Sequence, residues 1–217
     1  MNTNNLKKDF FKYQAKTSRF ASGFEVDYAK GSYIYGKDKR AYVDFAAGVS
    51  ANTLGHSFPR IINAIKEQVE RHLHVMVYGE YAQEKPVELC KRLSEVLPNP
   101  LDTTYLVNSG TEAIEASMKL AKRYTGREEI IACTDAYHGN TQGSLSLAGR
   151  EEKKRAFRPL LPMIDFIRFN SEDDLSKITT KTAGVVVETI QGASGFRVPK
   201  DDYLKKLSHY DIYNNVF

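Results

Sequence analysis

Four short apolar runs, at residues 104–107, 129–133, 165–169 and 184–187, are separated by stretches long enough to hold a crossover helix. Parallel strands cannot be joined by a tight turn and need such connections, so the spacing predicts an α/β fold with a parallel-type sheet. The first part of the chain reads differently. Residues 32–35 and 41–45 are aromatic-rich runs around the polar stretch Gly36-Lys37-Asp38-Lys39-Arg40, the pattern of a hairpin. After the glycine-spaced stretch 48–55, Ser57 can cap a helix with Pro59 in its first turn and Ile61, Ile62, Ile65, Val69 and Leu73 on one face. A second helix is expected from about Glu84, with Val87, Cys90, Leu93 and Leu97 at helical spacing and Pro98 and Pro100 forbidding its continuation. The change of style near residue 55 divides the chain into a small segment with a hairpin, 1–55, and a larger α/β part, 56–217.

Composition narrows the class of protein. With 41% hydrophobic and 27% charged residues among 217, the chain can bury a core. Its net charge of +4 comes from alternating signs, and no dense basic run interleaves with aromatics, which speaks against a nucleic-acid partner. The longest apolar run, 183–187, is far too short to cross a membrane, and residues 1–18 lack the apolar stretch of a signal peptide, so a cytoplasmic protein is expected. Cys90 and Cys133 lie in apolar segments and read as small hydrophobes. His72 and His74, two residues apart on a helix, face different ways and are a poor metal pair.

The chemistry concentrates after the first of the four runs. Residues 105–113 pass from a strand through the small polar turn Asn108-Ser109-Gly110 straight into a helix, with Glu112 and Glu115 in its first turns, Lys122 and Arg123 in its last, and Gly126 following. Such a helix N-terminus offers unpaired N–H groups and the positive end of the helix dipole, and the lack of bulk at Ser109 and Gly110 lets an anion approach the backbone. A phosphate fits there; Ser109 also has the plainer reading of a helix cap. Tyr137-His138-Gly139-Asn140-Thr141 follows the next strand and would line the same crevice, either as a cofactor clamp or as a hydrogen-bonded loop pair. Glu188, directly after an apolar strand, is costly to bury without a partner and reads equally as an active-site acid or a paired structural one.

Taken together, Asn108-Ser109-Gly110-Thr111-Glu112-Ala113, Ala136-Tyr137-His138-Gly139, Glu188-Thr189-Ile190-Gln191-Gly192 and the earlier Leu54-Gly55-His56 with Pro59 resemble the class III aminotransferases. That group includes acetylornithine, ornithine and 4-aminobutyrate transaminases, and the resemblance runs from about residue 9 to residue 207. It implies a fold-type I transferase in which residues 1–55 belong to a small domain and 56–217 begin the large cofactor-binding domain. It further implies that Ser109, Gly110 and Thr111 hold the phosphate of pyridoxal 5′-phosphate, that Tyr137 stacks on its ring, and that His138 and Glu188 stand nearby. The implied reaction moves an amino group from an amino acid or amine donor to a 2-oxo acid. The implied assembly is a homodimer, with residues 77–81 resembling an interface stretch.

The resemblance also marks where this sequence departs. In that family a further helix, a strand ending in an Asp-Glu pair and a cofactor-binding lysine follow the Glu188 strand; Tyr203-Leu204-Lys205-Lys206-Leu207 begins the expected helix, but the strand and the lysine are not among the 217 residues. From about Ser208 the sequence diverges from the family pattern. The family's sheet order, 3-2-4-5-6-7-1, would separate the run at 104–107 from that at 184–187 by three absent strands, leaving an incomplete sheet. No catalytic residue is therefore assigned within this chain, and negligible transamination is expected from it alone. Positioned acid–base catalysis by itself supplies about 3–5 kcal/mol of barrier lowering. The alternatives are a phosphate-binding remnant without chemistry and one half of a split enzyme. Asn140 stands where some members with amino-acid substrates carry an Arg that can clasp a carboxylate, and Ala193 replaces an acidic residue common after the Gln-Gly pair, which weakens any inference to acetylornithine as substrate.

Overall fold

The computed structural model describes residues 6–18, 20–76 and 79–214. Two residues of the expected interface stretch, Val77 and Tyr78, lie outside the described residues. The chain forms two compact units, Met1–Ala82 and Gln83–Phe217, dividing later than the change of style near residue 55.

In the first unit, helix α1 (Leu6–Tyr13) precedes a three-stranded antiparallel meander, β1 (Val26–Lys30), β2 (Tyr33–Gly36) and β3 (Ala41–Val43). The expected hairpin is β2–β3, with Tyr33 opposite Val43 and Tyr35 opposite Ala41. Strand β1 was not expected, because Asp27 and Lys30 interrupt its apolar pattern. It is held by cross-strand packing of Tyr28 on Tyr35, whose rings stack 4.3 Å apart. A single turn, α2 (Ala47–Ser50), contains left-handed backbone at Gly48 and Val49. Helix α3 (Pro59–Arg71) starts at the expected proline, but Ser57 is not its cap. The N-cap is Phe58, and the Ser57 hydroxyl instead donates to the Ala29 carbonyl at 2.9 Å.

The second unit opens with α4 (Glu84–Val96), which stops at Leu97 before the prolines. Residues 101–107, expected to hold the first strand, form none. No described strand pairs with them, and a lone parallel strand has nothing to bond its backbone to. Tyr105 consequently remains 79% exposed. Beyond them come α5 (Gly110–Thr125), β4 (Glu129–Cys133), α6 (Gln142–Ser146), α7 (Glu151–Lys154), β5 (Ile164–Ile167), β6 (Thr182–Val186) and α8 (Tyr203–Asn214). The three strands are parallel in the order β5-β4-β6. If the run at 104–107 is counted first, this is the order 3-2-4 that the resemblance implies.

The buried apolar core lies in this second unit among the described residues, from Met118 to Leu207. Strand alternation explains its two halves. Ile131 and Cys133 face Ile167, Phe169, Leu175, Ile178, Tyr203 and Leu207, while Ile130 and Ala132 face Met118, Ala121, Leu147 and Ala183. Helix α8 thus covers one face of the sheet and α5 the other. Each fully buried aliphatic side chain contributes about 1.5–3 kcal/mol of transfer free energy, so this central strand anchors the loops that leave its C-terminal end.

Candidate cofactor site

Helix α5 begins as its sequence demands. Ser109 has extended backbone and its Oγ accepts the Glu112 N–H at 3.3 Å, while the Glu112 carboxylate reaches back to the Asn108 N–H at 2.9 Å. This resembles a capping box displaced by one residue. The N–H groups of Gly110 and Thr111, in the first turn, have no intrahelical acceptor by position. Ser109 and Gly110 are exposed, and the space where a Gly110 side chain would stand is open to at least 4 Å. At the other end Gly126 adopts left-handed backbone and donates to Lys122 O at 2.9 Å.

The loop after β4 folds over this terminus. Gly139 has φ +128°, and a β-carbon there would lie 2.6 Å from Thr111 Cβ and 2.7 Å from Ser144 Oγ. Only glycine allows that approach. Thr111 Oγ1 stands 2.8 Å from Thr141 Oγ1 and 2.6 Å from Ser144 Oγ, which ties the start of α5 to the start of α6.

Glu188 has backbone partners on two loops. Its carboxylate accepts the Tyr137 N–H at 3.0 Å and the Gly192 N–H at 3.1 Å, so it joins the loop after β4 to the loop after β6. Its two carboxylate oxygens thus tie the two loops together. Gln191, fully buried, reinforces the junction by donating to Thr134 O at 2.9 Å. The Tyr137 ring is 52% exposed, and its hydroxyl accepts from Asn140 Nδ2 at 3.2 Å. His138 is 7% exposed and its Nε2 has no hydrogen-bond partner among the described residues. Burial lowers its pKa and favours the neutral ring, against the opposing pull of the Glu188 charge.

Of the six residues expected at the site, Ser109, Gly110 and Thr111 lie at the N-terminus of α5, and Tyr137, His138 and Glu188 lie on the joined loops after β4 and β6. Sequence reasoning missed the roles of Glu115, Thr141 and Ser144, which complete the hydroxyl cluster. Glu115 lies one turn beyond Thr111 on the same face of α5 and was within reach of helical periodicity, but nothing in sequence brings residues 141–144 to it. Two surface clefts, of about 720 and 600 Å³, lie elsewhere. The first is lined by Phe10, Tyr13 and Phe24, and the second by Asp135, Arg168, Arg197 and Lys200. The α5 terminus is an open wall in this chain.

The wall fits a flat, phosphate-bearing ligand. Open space and free N–H positions at Gly110 suit the phosphate, an exposed aromatic ring stands at the neighbouring strand end, and the buried His138 Nε2 lacks a partner among the described residues. Loops gathered at the C-terminal edge of a parallel sheet, beside a helix N-terminus, are where open α/β proteins bind their ligands.

Comparison with known proteins makes this specific. The family model described as aminotransferase class-III matches residues 13–217, and the chain belongs to that family. Class III aminotransferases depend on pyridoxal phosphate. Acetylornithine aminotransferase of Clostridium acetobutylicum is 40% identical over 199 residues, covering 88% of this chain and 50% of that protein. The [LysW]-aminoadipate semialdehyde/glutamate semialdehyde transaminase of Sulfolobus acidocaldarius is 37% identical, covering 85% of this chain and 47% of the relative. Among solved structures, ornithine aminotransferase from Toxoplasma gondii superposes with TM-score 0.87 at 26% identity, over 99% of this chain and 52% of that one. Adenosylmethionine-8-amino-7-oxononanoate aminotransferase from Methanocaldococcus jannaschii gives 0.89 at 26% identity, over 99% and 53%. The chain spans about half the length of the curated relatives it matches. These fold-type I neighbours support the expected fold class.

Proposed function

We propose that residues 1–217 supply the phosphate-holding wall of an aminotransferase site, in a protein that passes an amino group from an amino acid or amine donor to a 2-oxo acid. The observation that carries this reading is the convergence on the open α5 terminus of the Gly139–Thr111 contact and of the Tyr137 loop held by Glu188. In this reading the backbone N–H groups around Ser109, Gly110 and Thr111 hold the phosphate. Tyr137 lies against the flat ring, with His138 and Glu188 nearby. When bound, pyridoxal phosphate supplies the electron sink that stabilises a carbanion at the donor. Homodimeric assembly and a cytoplasmic location belong to the same reading.

The 217 residues by themselves are expected to turn over no amino donor. Lys205 and Lys206 of α8 pair with Asp202 at 2.8 Å and Glu172 at 2.6 Å, on the protein surface, and neither serves the phosphate wall. The test is titration of the 217-residue chain with pyridoxal phosphate, followed by tyrosine fluorescence, with phosphate-free pyridoxal as the control. Charge-assisted hydrogen bonds contribute about 1.5–3 kcal/mol each, so loss of the phosphate should weaken binding by about tenfold or more. Tyr137→Ala should weaken it further. Equal affinity for the two compounds, or no saturable binding of either, would overturn the reading, and steady transamination by the pure chain would overturn the expectation of inactivity.

A further inference from the structure

The carboxylate of Glu115 bears directly on the cluster of hydroxyls behind the phosphate wall. Its Oε1 accepts the Gly143 N–H at 2.9 Å, the Ser144 N–H at 3.1 Å and the Thr141 hydroxyl. The first two are N–H groups at the start of α6, whose own N-cap, Thr141, makes no side-chain cap bond. Glu115 therefore caps α6 from a different helix.

The geometry on either side leaves little freedom. Gly143 and Ser144 are buried, and a β-carbon on Gly143 would lie 2.7 Å from Glu115 Cδ. Because a carboxylate oxygen can only accept, the Thr141 proton is directed to Glu115, and Thr141 Oγ1 presents lone pairs to Thr111 and Ser144, 2.8 and 2.9 Å away. Thr111 Oγ1 in turn accepts the Thr141 N–H at 3.3 Å. The rotamer of Thr111 is thus set from behind by two residues whose places depend on Glu115.

We propose that Glu115 is a positioning residue for phosphate binding, which acts by clamping residues 141–144 so that Thr111, anchored through its hydroxyl, keeps the first-turn N–H groups of α5 in place. This rests on the assignment of that terminus to the phosphate of pyridoxal phosphate. Glu115 does not touch the ligand; its influence is exerted through Thr111.

The test is a double-mutant cycle on the 217-residue chain, with pyridoxal phosphate and phosphate-free pyridoxal as probes. Glu115→Ala is expected to weaken pyridoxal phosphate binding by about tenfold while leaving pyridoxal unchanged, and Glu115→Gln, which keeps an acceptor oxygen, should recover most of the loss. In a Thr111→Val background the effect of Glu115→Ala should shrink to near nothing. If Glu115→Ala does not fold, Thr141→Val, which removes the hydroxyl between Glu115 and Thr111, carries the same cycle with a loss of the same sign. Equal losses with both probes, or the same loss whether Thr111 is present or not, would overturn the proposal and leave the cofactor assignment standing. Absence of any phosphate preference in the unmutated chain would overturn both.

Discussion

Replacing Gly139 by alanine should destabilise the second unit substantially. Two costs combine. The backbone at φ +128° is a conformation that L-residues rarely adopt, which costs about 1–3 kcal/mol. The new β-carbon would lie 2.6 Å from Thr111 Cβ, well inside the roughly 3.5–4.0 Å separation of ordinary carbon contacts, and relieving that overlap costs about another 1–3 kcal/mol. The total of about 2–6 kcal/mol is a large fraction of the roughly 5–15 kcal/mol that stabilises a typical domain. Two further glycines separate the contributions. Gly195 has φ +87° with nothing within 4 Å of its missing side chain, so Gly195→Ala carries only the backbone cost. Gly110 has neither positive φ nor a neighbour within 4 Å, so Gly110→Ala should be close to neutral. Urea unfolding followed by circular dichroism should order the midpoints with Gly110→Ala near the unmutated chain, Gly195→Ala below it and Gly139→Ala lowest. A Gly139→Ala midpoint no lower than that of Gly195→Ala would show that the collision with Thr111 is not a constraint, and the reasoning would fail.

Two other expectations concern buried titratable groups. Burial lowers the His138 pKa below 6.5, so below that pH the unfolded chain binds more protons than the folded one and stability falls as the pH drops; His138→Gln should flatten the dependence of the urea midpoint between pH 7 and pH 5, and parallel curves for the two proteins would contradict this. Cys133 is fully buried and burial pushes its thiol up to about 11, whereas Cys90 is partly exposed. An aromatic disulfide reagent at pH 8 should therefore modify Cys90 in the folded chain and reach Cys133 only on unfolding, and comparable rates at the two sites would refute the burial.

Local signals explain why so much of the second unit was legible. Helix α5 has a serine cap, acidic first turn, basic last turn and terminal glycine in one continuous stretch, and β4 is an isolated apolar run, so both appear within a residue or two of where they were expected. The failures are those where a partner decides. Residues 104–107 have the composition of a strand but no described neighbour to bond with, and Ser57 caps nothing because its left-handed backbone turns the hydroxyl toward Ala29. The site divides in the same way. The Ser109 cap and the unobstructed Gly110 beside it lie in one short stretch and were visible as a local pattern. The bonds of Glu115 to Gly143 and Ser144, and of Glu188 to Tyr137, join segments far apart in the chain, and only folding reveals them.

The clasp made by Glu188 has a consequence for how such a site can change over time. It grips main-chain N–H groups at positions 137 and 192, and every residue except proline carries that same donor. The side chain at 137 can therefore be exchanged, altering what the wall prefers to face, while the path of both loops is preserved. Scaffold and selectivity are thereby made independently variable, with one carboxylate holding the frame while its neighbours diversify.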